Sequence, residues 1–164
     1  MSVATGARLG ALLSEHREAL ESIVRATNVF ADDEVAVALE LFDDAIAGGS
    51  DYEFIGAFEE HRLVGYACFG ATPSTDNTYD LYWIAVHPEA QRSGAGSLLM
   101  SEVEHRLHAR RARLLIVETS SRADYEPTRR FYERRGYQES ARIHDFYGNG
   151  DHRLVLTKSL AVGA

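Results

Sequence analysis

The stretch that most limits what this chain can fold into runs from Tyr79 to Thr119. Tyr79–Val86 (Tyr-Asp-Leu-Tyr-Trp-Ile-Ala-Val) is rich in aromatic and β-branched residues and reads as a strand. His87-Pro88 ends it, and Gly94 and Gly96 then open an amphipathic helix over 94–110, with Leu98, Leu99, Val103 and Leu107 on one stripe. Leu114–Thr119, mostly apolar, follows as a second strand, so the unit is a parallel pair joined by a helical crossover. At the turn between strand and helix the first helical N–H groups have no partner within the helix, and glycine lets a ligand come close to the backbone. A phosphate or pyrophosphate is the natural occupant of such a turn, and Arg92 adds charge beside it.

The flanking sequence supplies the rest of a single mixed α/β domain spanning 1–164. A short opening strand is expected within 7–13, then a helix over 15–27 with Ser14 as its N-cap. Asp32-Asp33-Glu34 starts a second helix that carries Val35, Leu39, Phe42 and Ile46 on one stripe and ends at Gly48-Gly49. Residues 52–59 and 62–71 alternate as strands around Glu60-His61, a hairpin signature, and 72–77 is a loop. Pro127 suits the first turn of a helix reaching Arg135 and closed by Gly136; strands over 138–147 and 152–158 finish the chain around 148–151.

Composition excludes several classes. A net charge of −8 argues against a nucleic-acid partner, which needs a basic footprint. Residues 1–60 hold thirteen acids against three arginines, so the acidity is concentrated there; it is either a solvated helical surface or a wall beside a cationic ligand. The single cysteine, Cys68, rules out an internal disulfide and a Cys-based metal cluster, and no metal is expected. No apolar run reaches the ~20 residues of a membrane span, and Met1–Gly6 has no leader-like pattern, so a cytoplasmic protein with no membrane partner is expected.

The glycine turn itself discriminates among phosphate motifs. A P-loop would end in Gly-Lys-Ser/Thr, and a dinucleotide fingerprint would place a third glycine where Leu99 stands. Gln91-Arg92-Ser93-Gly94-Ala95-Gly96 instead matches Arg/Gln-x-x-Gly-x-Gly/Ala. Tyr82–Pro88 before it, Glu118-Thr119-Ser120-Ser121 after it and Phe131-Tyr132-Glu133-Arg134-Arg135-Gly136-Tyr137 near the end complete the pattern. Together these resemble the GNAT superfamily of N-acetyltransferases, most strongly over residues 50–160. The resemblance implies an α/β fold with a mixed sheet and splayed central strands, the acyl-CoA N-acyltransferase fold. It also implies acetyl-CoA as co-substrate and direct transfer of acetyl to a primary amine of a small molecule or peptide. The pyrophosphate would lie on backbone of Gln91, Arg92, Ser93, Gly94, Ala95, Gly96 and Ser97, and the pantetheine arm along Ile84, Ala85 and Val86. A homodimer is in keeping with the proteins it resembles.

Three side chains are candidates for chemistry. Tyr132 matches the family tyrosine near the cofactor sulfur, where its phenol would serve the leaving thiolate; the alternative is a core aromatic. Glu118 matches a glutamate that acts as base in the ribosomal-protein alanine acetyltransferases, and Asp80 stands where the histone enzymes carry theirs; either could instead anchor substrate or structure. Cys68 reads as core, so no covalent acetyl-enzyme is expected. His87, His105 and His108 read as loop or surface residues, Arg110-Arg111-Ala112-Arg113 as a solvated helix end or a contact to a CoA phosphate, and Arg129 and Arg130 as phosphate contacts or solvated. Phe146 and Tyr147 either close an acceptor pocket or are strand aromatics. Two other readings stay open: a non-catalytic acyl-CoA-binding module, and a transferase using a longer acyl-CoA.

Overall fold

The structure, a computed structural model, describes residues 6–160. Residues 1–5, part of the stretch read for a leader, lie outside the described residues. Seven strands, β1 (Arg8–Gly10), β2 (Glu53–Glu59), β3 (Arg62–Ala71), β4 (Thr78–Val86), β5 (Leu114–Ser120), β6 (Gln138–Gly148) and β7 (Asp151–Ser159), form one sheet in the order β1-β2-β3-β4-β5-β7-β6. Among the described residues four α-helices accompany them, α1 (Arg17–Ala26), α2 (Asp32–Ile46), α3 (Ala95–Ala109) and α4 (Glu126–Arg134). The order of elements is the one the sequence predicts, and the sheet is mixed α/β with β4 and β5 as a parallel pair.

The chain divides into two compact units, one of residues up to 70 with 83–106, the other of 71–82 with 107 onward. In the first, β1, β2 and β3 pair antiparallel. The β2–β3 turn has positive φ at both Glu60 (46°) and His61 (71°), the handedness that a two-residue hairpin turn requires. Every residue of β3 from Leu63 to Gly70 is buried, as the unbroken apolar run Leu-Val-Gly-Tyr-Ala-Cys-Phe-Gly demands. α1 buries Leu20, Ile23 and Val24, and α2 buries Val35, Ala38, Leu39 and Phe42. Ile46 departs from expectation: it is exposed, because the helix ends there and its last turn passes beyond the core. Ser14 does not cap α1; it starts a 3-10 turn, Ser14–His16, in which the His16 Nδ1 accepts from the Leu13 N–H at 2.9 Å. Several N-terminal acids are satisfied at the surface, Asp43 by both ends of the Arg17 guanidinium (2.8 and 3.0 Å) and Asp32 by Arg25 (3.0 Å). Arg17 holds the Asp43 carboxyl below its ordinary range.

Gly65 in β3 makes close approach possible within this unit. A Cβ there would stand 3.1 Å from the Ala85 carbonyl oxygen, 3.2 Å from Val86 Cγ2 and 3.4 Å from Leu99 Cδ1. Backbone cannot give way as a side chain can, so Gly65→Ala is expected to cost about 1–3 kcal/mol, read as a lower Tm or denaturant midpoint. An unchanged midpoint would show that β4 shifts freely.

In the second unit the β4–β5 ladder has four pairs, Thr78↔Leu114 to Leu81↔Val117, while β5 pairs with β7 from Leu114 to Ser120 and β7 with β6. Burial alternates along these strands. Leu115, Val117, Thr119, Leu154 and Leu156 are buried on one face, whereas Ile116, Glu118, Arg153, Val155 and Thr157 face the other and stay partly or fully accessible. α4 buries Tyr132, and Gly136 (φ +92°) turns the chain into β6 as predicted.

Candidate active site

All candidate cofactor residues fall in the first unit and all three candidate catalytic residues in the second. The turn after β4 is more elaborate than the sequence suggests. The predicted helix over 94–110 is α3, Ala95–Ala109, and ahead of it stands a 3-10 helix, Pro88–Ser93, that the sequence does not announce. His87 starts the 3-10 helix, its Nδ1 accepting from the Glu89 N–H at 3.2 Å, and Ser93 Oγ donates to the Ala90 carbonyl at 2.5 Å. Gly94 joins the two helices at φ 80°, ψ 10°, a left-handed conformation that glycine adopts without a Cβ penalty. Its carbonyl takes the first bond of α3, from the Leu98 N–H at 2.9 Å.

This joint fits a pyrophosphate. A Cβ built on Gly94 meets nothing within 4 Å, so the turn opens outward instead of packing on a neighbour. The Ala95 N–H points to Ser93 Oγ at 3.3 Å, and the amides of Gly96 and Ser97 belong to the first turn of α3, which contains no acid to repel an anion. Gln91 and Arg92 are exposed; Gln91 Nε2 lies 3.5 Å from the Val86 carbonyl. A depression of about 470 Å³ in the same unit is lined by Glu59, Glu60, Arg62, Val64, Glu89 and Ala90 and contains no candidate site residue; its three glutamates suit no anion.

In the second unit, register brings the two candidate carboxylates onto one face. Asp80 pairs with Ile116, and Glu118 lies two residues further along β5, which separates their Cα atoms by about 8 Å at ordinary strand spacings. Asp80 is half-buried and its Oδ2 accepts from Thr72 Oγ1 at 2.6 Å. Glu118 is exposed and ion-paired with Arg153 Nη2, from the adjacent strand β7. Tyr132 lies in α4 with its ring edge-on to Phe131 and Tyr137, both at 5.5 Å; it is 3% exposed, and burial pushes its phenol well above the ordinary value.

Other residues separate into structure and surface. Arg129 Nη1 donates to the carbonyls of Ser120 and Arg122, 2.8 Å each, and Arg130 pairs with Glu126 at 2.6 Å, so both have structural partners. Arg110 and Arg111 lend their carbonyls to Asn77 Nδ2, and Arg113 Nε donates to the Asp76 carbonyl, so this stretch closes the end of α3. Phe146 and Tyr147 are each 50% exposed and edge-on to one another at 5.0 Å. His105 and His108 are exposed as expected, and among the described residues no group of metal-binding side chains occurs. No helix among them is long and apolar enough to cross a membrane. Sequence reasoning missed Thr72 and Arg153; a charged residue inside Arg-Leu-Val-Leu, two positions from Val155, was the available signal for the second.

A mixed sheet with one parallel strand pair and a glycine-turned helix start is the α/β architecture that GNAT acetyltransferase structures share. The family model for the acetyltransferase (GNAT) family matches residues 17–137, and the chain belongs to that family. It is 40% identical to a GNAT-family protein from Desulfovibrio desulfuricans, with a TM-score of 0.90 over 94% of this chain and 99% of that one. The ribosomal-protein-S18-alanine N-acetyltransferase from Escherichia coli shares the fold, at 18% identity and TM-score 0.77 over 96% of each chain. So does the PaiA N-acetyltransferase from Thermoplasma acidophilum, solved with coenzyme A, at 16% identity and TM-score 0.71 over 97% and 99%. Comparison with curated proteins returns no match.

Proposed function

We propose that this chain transfers the acetyl group of acetyl-CoA to a primary amine of a small molecule or peptide, by direct attack in a ternary complex. The observation that carries the reading is the left-handed Gly94, open at its Cβ position, at the start of α3. Backbone of Gln91–Ser97 holds the pyrophosphate, and Ile84–Val86 offers strand edge to the pantetheine amides. The acceptor arrives as an ammonium and must lose a proton before its nitrogen can attack the thioester carbon. Asp80 takes that proton, its carboxylate held in place on the same face by Thr72. Glu118 serves as an anchor for the acceptor's charge. When the C–S bond breaks, Tyr132 donates a hydrogen bond to the departing thiolate; a buried phenol with a raised pKa remains protonated for that role.

A covalent acetyl-enzyme has no support in the protein's one thiol. Cys68 is 0% exposed and burial pushes its pKa up to about 12, so thiolate is negligible at neutral pH. Initial-velocity patterns with acetyl-CoA and an amine should therefore intersect. Mass spectrometry after incubation with acetyl-CoA alone should find no acetylated protein. Parallel lines together with a stable adduct would overturn direct transfer.

A further inference from the structure

Resting on that reading, we infer that Arg153 is a positioning residue of the acceptor site: it is the resident counter-ion of Glu118, and a cationic acceptor must exchange with it. Arg153 stands on β7 opposite Ser120 of β5 and Ile143 of β6, which places its side chain on the face that carries Asp80 and Glu118. Its guanidinium has two stations there. Nη2 reaches the Glu118 carboxylate, and the guanidinium carbon lies 4.8 Å from the centre of the Phe146 ring.

The two stations are unequal in a way that favours exchange. Nε is buried with no hydrogen-bond partner, so of the guanidinium's fork only one arm is satisfied, and the bidentate geometry that makes arginine–carboxylate pairs strong is not achieved. Glu118 is 40% exposed at its side chain and so open to a competing donor. Phe146, half exposed, keeps a cation–π contact for a guanidinium that has released the carboxylate, so the displaced charge is not left unpaired. An acceptor ammonium therefore gains Glu118 while Arg153 retreats along its own stem toward Phe146. Selection follows from chemistry: an amine enters with its charge, and a neutral or anionic molecule of the same size cannot displace Arg153.

The probe is n-butylamine, with CoA release as the assay, on the full chain and on Arg153→Gln, Arg153→Lys, Glu118→Gln and the double variant. Arg153→Gln should lower KM for n-butylamine about 10-fold with kcat within about 2-fold, because a competitor has gone. Arg153→Lys should restore most of the original KM. In the Glu118→Gln background, Arg153→Gln should change nothing, since the carboxylate being contested is absent. A structural role would instead lower kcat or stability in both backgrounds. Independently of turnover, the Arg153 Nε–H resonance of arginine-labelled protein should shift on titration with n-butylammonium chloride and not with tetramethylammonium chloride at equal ionic strength. A silent resonance, or equal effects of Arg153→Gln with and without Glu118, overturns the exchange while acetyl transfer to n-butylamine leaves the proposed function standing. A responsive resonance with no CoA release for any amine upholds the exchange and overturns the transferase reading.

Discussion

Gly94→Asp should weaken acetyl-CoA binding by about 100-fold or more, measured by calorimetric titration, while Gly94→Ala should weaken it about 10-fold. The two substitutions separate two effects. Both force an L-residue into φ +80°, a backbone cost of about 1–2 kcal/mol that matches the smaller loss. Only aspartate adds a negative charge at the amides of Gly96 and Ser97, where the helix start would otherwise attract the pyrophosphate. Neither should unfold the chain, because a Cβ at Gly94 meets nothing within 4 Å and the strain is confined to one residue. Both variants should stay folded with midpoints lowered alike by about 2–8 °C, so that the further loss of affinity in Gly94→Asp is read as charge and not as unfolding. Equal affinity of Gly94→Asp and parent would remove the Gln91–Ser97 turn from cofactor binding and the proposed function with it.

That turn was legible in the sequence because its two constraints are local. The left-handed φ of Gly94 comes from the structure, but two glycines opening an amphipathic run can be read within a dozen residues. So could the hairpin at Glu60-His61 and the helix closed by Gly136, whose φ values of 46°, 71° and 92° follow from short-range turn geometry. The 3-10 helix at Pro88–Ser93 was not legible: its bonds run from Ser93 Oγ to Ala90 and from the Glu89 N–H to His87, and no apolar period marks them. Ile46 shares the apolar stripe yet is exposed, because periodicity continues to the helix end whether or not anything covers the last turn. The state of Glu118 was hidden for a different reason. Its partner Arg153 is 35 residues away in sequence and meets it only through the β5–β7 register, which no local pattern specifies. Spacing can nominate a carboxylate, but what engages that carboxylate depends on strands that pair later in the chain.

Tyr132→Phe should lower kcat by about 10²–10³-fold with the acetyl-CoA dissociation constant within about 2-fold of the parent. The substitution keeps what the ring does for the fold. Its edge-on contacts with Phe131 and Tyr137, 5.5 Å each, need no hydroxyl, and removing a hydroxyl from a site only 3% exposed costs no apolar burial. Stability should therefore hold or rise slightly, which separates loss of chemistry from loss of structure. The pH dependence has a definite sign. Burial raises the phenol above its ordinary value of 10.0, so the protonated, hydrogen-bond-donating form persists at every pH below that value. The alkaline side of the kcat profile should consequently show no decline from Tyr132 ionisation below pH 10. A decline below pH 10 that vanishes in Tyr132→Phe would mean the phenol ionises far more readily than its surroundings allow. An unchanged kcat in the variant would reduce Tyr132 to a packing residue and leave the thiolate to be protonated by water.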